Sequence, residues 1–287
     1  MPEAGSRKAD GVERAAVGVL AAFGAVALAG YATFGLHPEL LVRLGRSGAF
    51  YGSAFTVFAR GQVLLAGLVL GLVLARRAGV RWVPALLALY GLSLGSELAG
   101  TTWGIPFGAY GYTSLLGVAW LDRVPALIPL SWFCMAVPSY ALARVRFPRP
   151  PERAGRVLLG SFILLAWDLS LDPAMSHATR YWWWGDAGPY YGMPLMNLVG
   201  WYVTGMALMV ALSFLRADAW IARVPVPLLA AYYGANLLLP LGMSAAAGLW
   251  GAVVLSLVVL GGVYAAVRVP TPARRTVRAA RSVEAEG

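Results

Sequence analysis

"VPVPLLAAYYGANLLLPLGMSAAAGLWGAVVLSLVVLGGVYAAV", residues 224–267, runs from Arg223 to Arg268 without one charged side chain. A helix needs roughly 20 apolar residues to cross a hydrocarbon core of about 30 Å. As one helix rising about 1.5 Å per residue, this stretch would be roughly twice too long. It is therefore read as two spans, 224–241 and 246–267, broken at "PLGMS", Pro240–Ser244.

Working outward, the same ruler finds spans near 15–35, 54–75, 82–100, 124–143, 156–175 and 194–215. Composition agrees: the chain of 287 residues is 59% hydrophobic and 13% charged, with a mean hydropathy of +0.68, outside the range of a soluble domain of this length. The expected fold is all-α, a single polytopic transmembrane helix bundle of about eight spans over 15–267. Basic tails at 1–14 and 268–287 lack apolar periodicity, so they are expected to be disordered or to lie on the inner membrane surface.

A net charge of +10 would point to nucleic acid in a soluble protein, but these basic residues lie in short segments between apolar runs, which excludes that partner. With the N-terminus inside, the inner segments hold 18 arginines and lysines and the outer ones 5: Arg43, Arg46, Arg60, Arg123 and Arg180. That asymmetry predicts cytoplasmic termini and an even number of spans. The expected location is a bacterial cytoplasmic (inner) membrane. Ala27-Leu28-Ala29 resembles a signal-peptidase site, and cleavage there would leave seven helices. Acids mixed with bases before the first span, and an apolar run that continues past the site, favour retention. One cysteine, Cys134, excludes an internal disulfide, and two histidines with it cannot build a typical zinc site, so no metal and no cofactor is expected.

On this topology Glu97 sits about 5 Å below the outer end of the third span, and Asp168 and Asp172 about 10 and 5 Å below that of the fifth. Asn197 begins the sixth at similar depth. Three acids and an amide from three helices thus share one layer. Intramembrane carboxylates usually face a bundle interior and mark a functional pathway. Asp168 and Asp172, at i and i+4, share a helical face. Burial and mutual repulsion disfavour ionising both, so at least one is expected to be a neutral acid at pH 7. Structural readings compete. Asp172 precedes Pro173 and can cap a helical turn, and Glu97 can be a hydrated helix-end residue. His177 reads as interfacial and Cys134 as packing.

Two outer connections follow the acids, "GTTWGIPFGAYGYTSLLG" after Glu97 and "SHATRYWWWGDAGPYYGMPLMN" after Asp172. Both carry too much glycine, proline and aromatic character for helix, and too many aromatics for a solvated loop. An interfacial aromatic belt accounts for Trp and Tyr at this depth, but not for two clusters that each follow a membrane carboxylate. An acid ringed by aromatic faces suits protonation of an alkene, because the ring quadrupole attracts a carbocation without trapping it.

The motifs are E-x-x-G (Glu97, Gly100), G-x-P-F-G-x-Y-x-Y (Gly104 to Tyr112), D-x-x-x-D-P (Asp168, Asp172, Pro173) and Y-Y-G-x-P-x-x-N-x-x-G-W (Tyr190 to Trp201). From Glu97 to Trp201 the chain resembles the membrane carotenoid hydratases, the group of γ-carotene 1′-hydroxylases and bisanhydrobacterioruberin hydratases. The resemblance implies cofactor-independent addition of water to the terminal double bond of an acyclic ψ-end carotenoid, giving a tertiary 1-hydroxyl. Carotenoid, water and the lipid bilayer are then the partners, and association with other carotenoid-pathway enzymes is left open.

In the mechanism that follows, neutral Asp168 is the preferred acid, and ionised Asp172 or Glu97 orients and deprotonates the attacking water. Trp103, Tyr110 and Tyr112 from the first connection, Trp182, Trp184 and Tyr191 from the second, and Trp201 of the sixth span are candidate walls for the polyene end. Asn197 is the candidate holder of the water. A lycopene-type cyclase shares the protonation step. A polyprenyl transferase would use the acids for magnesium and would need more basic neighbours than Arg123 and Arg180. A proton-coupled transporter also needs membrane carboxylates at a helix break, but near the midplane.

Overall fold

A computed structural model describes residues 3–268. In chain order the helices are α1 (Glu3–Gly30), α2 (Glu39–Arg43), α3 (Arg46–Ala78), α4 (Val83–Trp103), α5 (Leu127–Arg146), α6 (Arg153–Asp172), α7 (Leu195–Phe214), α8 (Asp218–Ile221), α9 (Val226–Ala246) and α10 (Trp250–Arg268). Single π-helical turns extend α1 over Tyr31–Gly35 and α6 over Pro173–His177. Among the described residues eight helices are long and apolar enough to cross a bilayer: α1, α3, α4, α5, α6, α7, α9 and α10. The chain is an all-α, multi-pass membrane bundle, with spans close to those the hydropathy ruler placed.

The helices pack as a layered bundle. α5 is its centre, with 67% of its spanning window buried against 17% for α10 at the rim. α6 packs on α5, α7, α9 and α10, and α7 also packs on α4, so α7 stands between the helix of Glu97 and the helix of the two aspartates. Gly160 and Gly205 bring α6 and α7 close, with Met209 and Ser161 in the places a Cβ would contact. Small residues of this kind let membrane helices approach where no hydrophobic drive separates lipid from protein.

Two expectations need correction. The break in the 224–267 run is not at Pro240–Ser244 but at Gly248, in the left-handed region (φ +74), between α9 and α10. Pro240 lies inside α9 because the carbonyl it leaves without an N–H, that of Asn236, receives Trp167 Nε1 at 3.4 Å. The N-terminal segment expected as a tail is helical from Glu3 onward. Glu13 is buried within it and pairs with Arg77 (Nε to Oε1 2.9 Å) and Arg76 (3.6 Å), which ties α1 to α3 at the arginine-rich end of the bundle. At the same end Asp218 neutralises buried Arg156 (2.6 Å) and Arg144 (3.1 Å). The second basic tail lies, beyond Arg268, outside the described residues.

Candidate active site

At the opposite end, the connections after α4 and α6 meet. Strand β1 (Tyr110–Tyr112) pairs antiparallel with a strand of the second connection (Trp182–Trp184), aligning Tyr110 with Trp184, Gly111 with Trp183 and Tyr112 with Trp182. Thr113 N–H to Tyr181 O (2.9 Å) and Gly185 N–H to Ala109 O (2.7 Å) continue the pairing at both ends. Successive strand side chains face opposite ways. Trp182 and Trp184 therefore turn down with Tyr110 and Tyr112, while Trp183 lies over Gly111 and is 56% exposed. Two segments that composition describes as loops are thus one hydrogen-bonded lid.

Beneath the lid Glu97 of α4 is buried and saturated with donors. Tyr112 Oη donates to its Oε2 at 2.7 Å, Tyr110 Oη makes a short hydrogen bond to the same oxygen, and Trp132 Nε1 of α5 donates to Oε1 at 2.8 Å. Three donors around one carboxyl are the arrangement that stabilises an ionised carboxylate. The tyrosines hold their protons firmly in return. Burial, and next the charge of Glu97, keep the Tyr110 and Tyr112 hydroxyls well above the ordinary value of 10.0.

Asp168 and Asp172, on consecutive turns of α6, contact each other through their carboxyls. Two carboxyls in hydrogen-bond contact need a proton between them. Their other partners are unequal. Asp172 accepts Trp182 Nε1 at 3.0 Å and a short hydrogen bond from Asn197 Nδ2, whereas Asp168 has only the longer contact to Asn197 Nδ2 (3.3 Å), and its Oδ1 has no donor among the described residues. Donors favour charge on Asp172 and leave the proton to Asp168.

The acids close on a cavity of about 30 Å³. Glu97, Asp172 and Asn197 supply its polar edge, and Tyr112, Trp184 and Trp201 are among its aromatic walls. Asp168 is fully buried behind Asp172 and does not line the cavity. A polar pocket of this size can hold a water with two to four partners. Among the described residues no three His, Cys, Asp or Glu side chains converge as a metal-ligand set.

The structure thus brings together Glu97, Asp168, Asp172, Asn197, Tyr110, Tyr112, Trp182, Trp184 and Trp201. Two expected walls lie elsewhere. Trp103 is 75% exposed at the end of α4, where its helical phase turns it outward, and Tyr191 packs on Tyr190 and His177 while accepting the Ala252 N–H. Cys134 lines a neighbouring apolar cavity.

One residue escaped the sequence analysis, and one motif residue was given no role there. Trp132 both donates to Glu97 and stacks on Trp201, with ring centroids 4.0 Å apart, and the signal for it was the one tryptophan inside the fourth span. Phe107 wedges between α4 and α7. A Cβ on Gly100 would meet its ring at 2.7 Å, and one on Gly200 would collide with it, which gives both motif glycines a steric reason.

The sequence model of a family described as carotenoid biosynthesis protein matches residues 58–263. A bisanhydrobacterioruberin hydratase of Haloarcula japonica is 30% identical over 165 residues, 57% of this chain and 54% of that protein. The chain spans about half the length of that curated relative. No solved structure matches.

Proposed function

We propose that this chain, which belongs to the carotenoid biosynthesis protein family, adds water to the terminal double bond of an acyclic ψ-end carotenoid and leaves a tertiary hydroxyl. The observation that carries the reading is the pairing of one shared proton with one saturated carboxylate around a water-sized cavity under aromatic rings. The name of the Haloarcula japonica relative supports the same reaction class.

In the proposed mechanism Asp172 is the catalytic acid, because it lines the cavity, and Asp168 is a positioning residue that supplies the proton through it. The proton passes to C2 of the end group, the π bond breaks, and positive charge develops at the tertiary C1. The faces of Trp184, Trp201 and Tyr112 and the charge of Glu97 stabilise that cation without a nucleophile to capture it. Water held at Asn197 forms the C1–O bond and returns one proton to Asp172, so the carboxyl pair ends as it began. General acid catalysis of this kind contributes about 10²–10⁴-fold.

The arginine distribution supports cytoplasmic termini, with the site toward the outer face of a bacterial cytoplasmic membrane. The test is mass spectrometry of pigments from a lycopene-producing host that expresses the chain, beside Asp172→Asn. A product heavier by one water with the wild type alone is expected. An isomer of unchanged mass would replace the hydratase by a cyclase.

A further inference from the structure

The acid-lined cavity is the inner end of a longer space. Ile128, Ser131, Leu171 and Trp182 line it and also line a second cavity of about 90 Å³ between α3, α5, α6 and α9. Ala59, Met175, Tyr181 and Leu239 in turn join that second cavity to a third, of about 250 Å³. The third opens at the surface between exposed Gly35, where α1 ends, and half-exposed Leu115 of the first connection. Arg60 pins this mouth by donating from Nε to Leu115 O at 2.8 Å.

The linings of the second and third cavities are mainly apolar, and two buried side chains among their polar members leave polar atoms unpartnered. Gln62, 8% exposed on α3, lines the middle cavity with both amide atoms unpartnered, and Tyr31, 5% exposed, lines the outer one with its hydroxyl unpartnered among the described residues. A buried donor without an acceptor is destabilising, and plain packing does not require one. N–H and O–H donors can be accepted by the π electrons of a conjugated chain, whereas a saturated acyl tail offers them nothing.

We infer that these three cavities form one lateral passage through which a linear conjugated isoprenoid slides end-first from the surface between the end of α1 and the first connection to Asp172, with the Ala59–Met175–Leu239 junction as its narrow point. This rests on the reading of the substrate as a carotenoid. It adds that an end group must arrive uncyclised, because the cavities shrink from about 250 to 90 to 30 Å³ toward the acids.

The test uses the full-length chain in a lycopene-producing host and reads two quantities per mole of purified protein, lycopene retained and lycopene hydrated. Variants are Ala59→Phe, which fills the junction; Ala59→Phe with Leu239→Ala, which reopens it; and Leu68→Phe on the exposed face of α3 as a control. Retention and conversion are expected to fall at least tenfold in Ala59→Phe, to recover in the double variant, and to stay unchanged in the control.

Wild-type retention in Ala59→Phe, loss that the double variant does not recover, or a wild type that holds no lycopene would each overturn the passage. Retention that follows the expected pattern without any hydration would keep the passage and remove the hydratase reading.

Discussion

Trp132 Nε1 on α5 donates to Glu97 Oε1 on α4 at 2.8 Å while its ring stacks on Trp201 of α7, so one side chain ties three helices at the buried carboxylate. The hydrogen bond and the stack are separable. Trp132→Phe keeps an aromatic face for Trp201 and removes the donor. A hydrogen bond to a charged group is worth about 1.5–3 kcal/mol, and the variant should lose about that much stability in detergent unfolding. An unchanged midpoint would show that the contact carries no net stability.

The aspartate pair makes a graded prediction. Asp172→Asn removes the group that faces the cavity and should lower turnover about 10²–10⁴-fold. Asp168→Asn leaves Asp172 in place and should lower kcat with KM unchanged, while altering the pH profile of kcat. Equal turnover of both variants and the wild type, at matched membrane levels, would refute the acid assignment.

Alkaline stability follows from the lid tyrosines. Tyr110 and Tyr112 are held above 10.0 in the folded protein, first by burial and then by Glu97, so their hydrogen bonds stabilise fully below the ordinary tyrosine range. Above pH 10.0 the unfolded tyrosines release protons first, the unfolded state binds fewer protons, and stability falls as pH rises toward the folded values. The thermal midpoint should be flat in this respect from about pH 7 to 9 and decline above about 10. Tyr112→Phe should soften that decline.

The Phe107 wedge predicts the effect of a single methyl. Gly200→Ala places a Cβ against the ring and against Pro106 O (2.8 Å), both held by the lid. Overpacking of this kind costs about 1–3 kcal/mol. Midpoints of Gly200→Ala and Gly234→Ala, the latter at a position where a Cβ meets nothing within 4 Å, should differ by that amount.

Much of this molecule was legible in the order of its residues. Eight spans follow from the fixed thickness of a bilayer and the need of every backbone group to be bonded within a helix, which leaves apolar length as the signal. The three acids and Asn197 stood out because a carboxylate in such a run has a free-energy cost that only a partner offsets.

What the order of residues could not decide were contacts between segments distant in the chain. The break at Gly248 rather than Pro240 depends on Trp167, some seventy positions away, which donates to the carbonyl that the proline frees. Trp103 and Tyr191 have the composition of wall residues, but helix phase and packing on α10 take them elsewhere. Composition and periodicity therefore determined that the chain crosses a membrane and where its acids lie along each helix. Which aspartate faces the cavity, which tryptophan serves Glu97, and that two loops pair into one lid were decided by tertiary structure, because hydrogen bonds and ring stacks act over 3–4 Å and sequence separation carries no record of such distances.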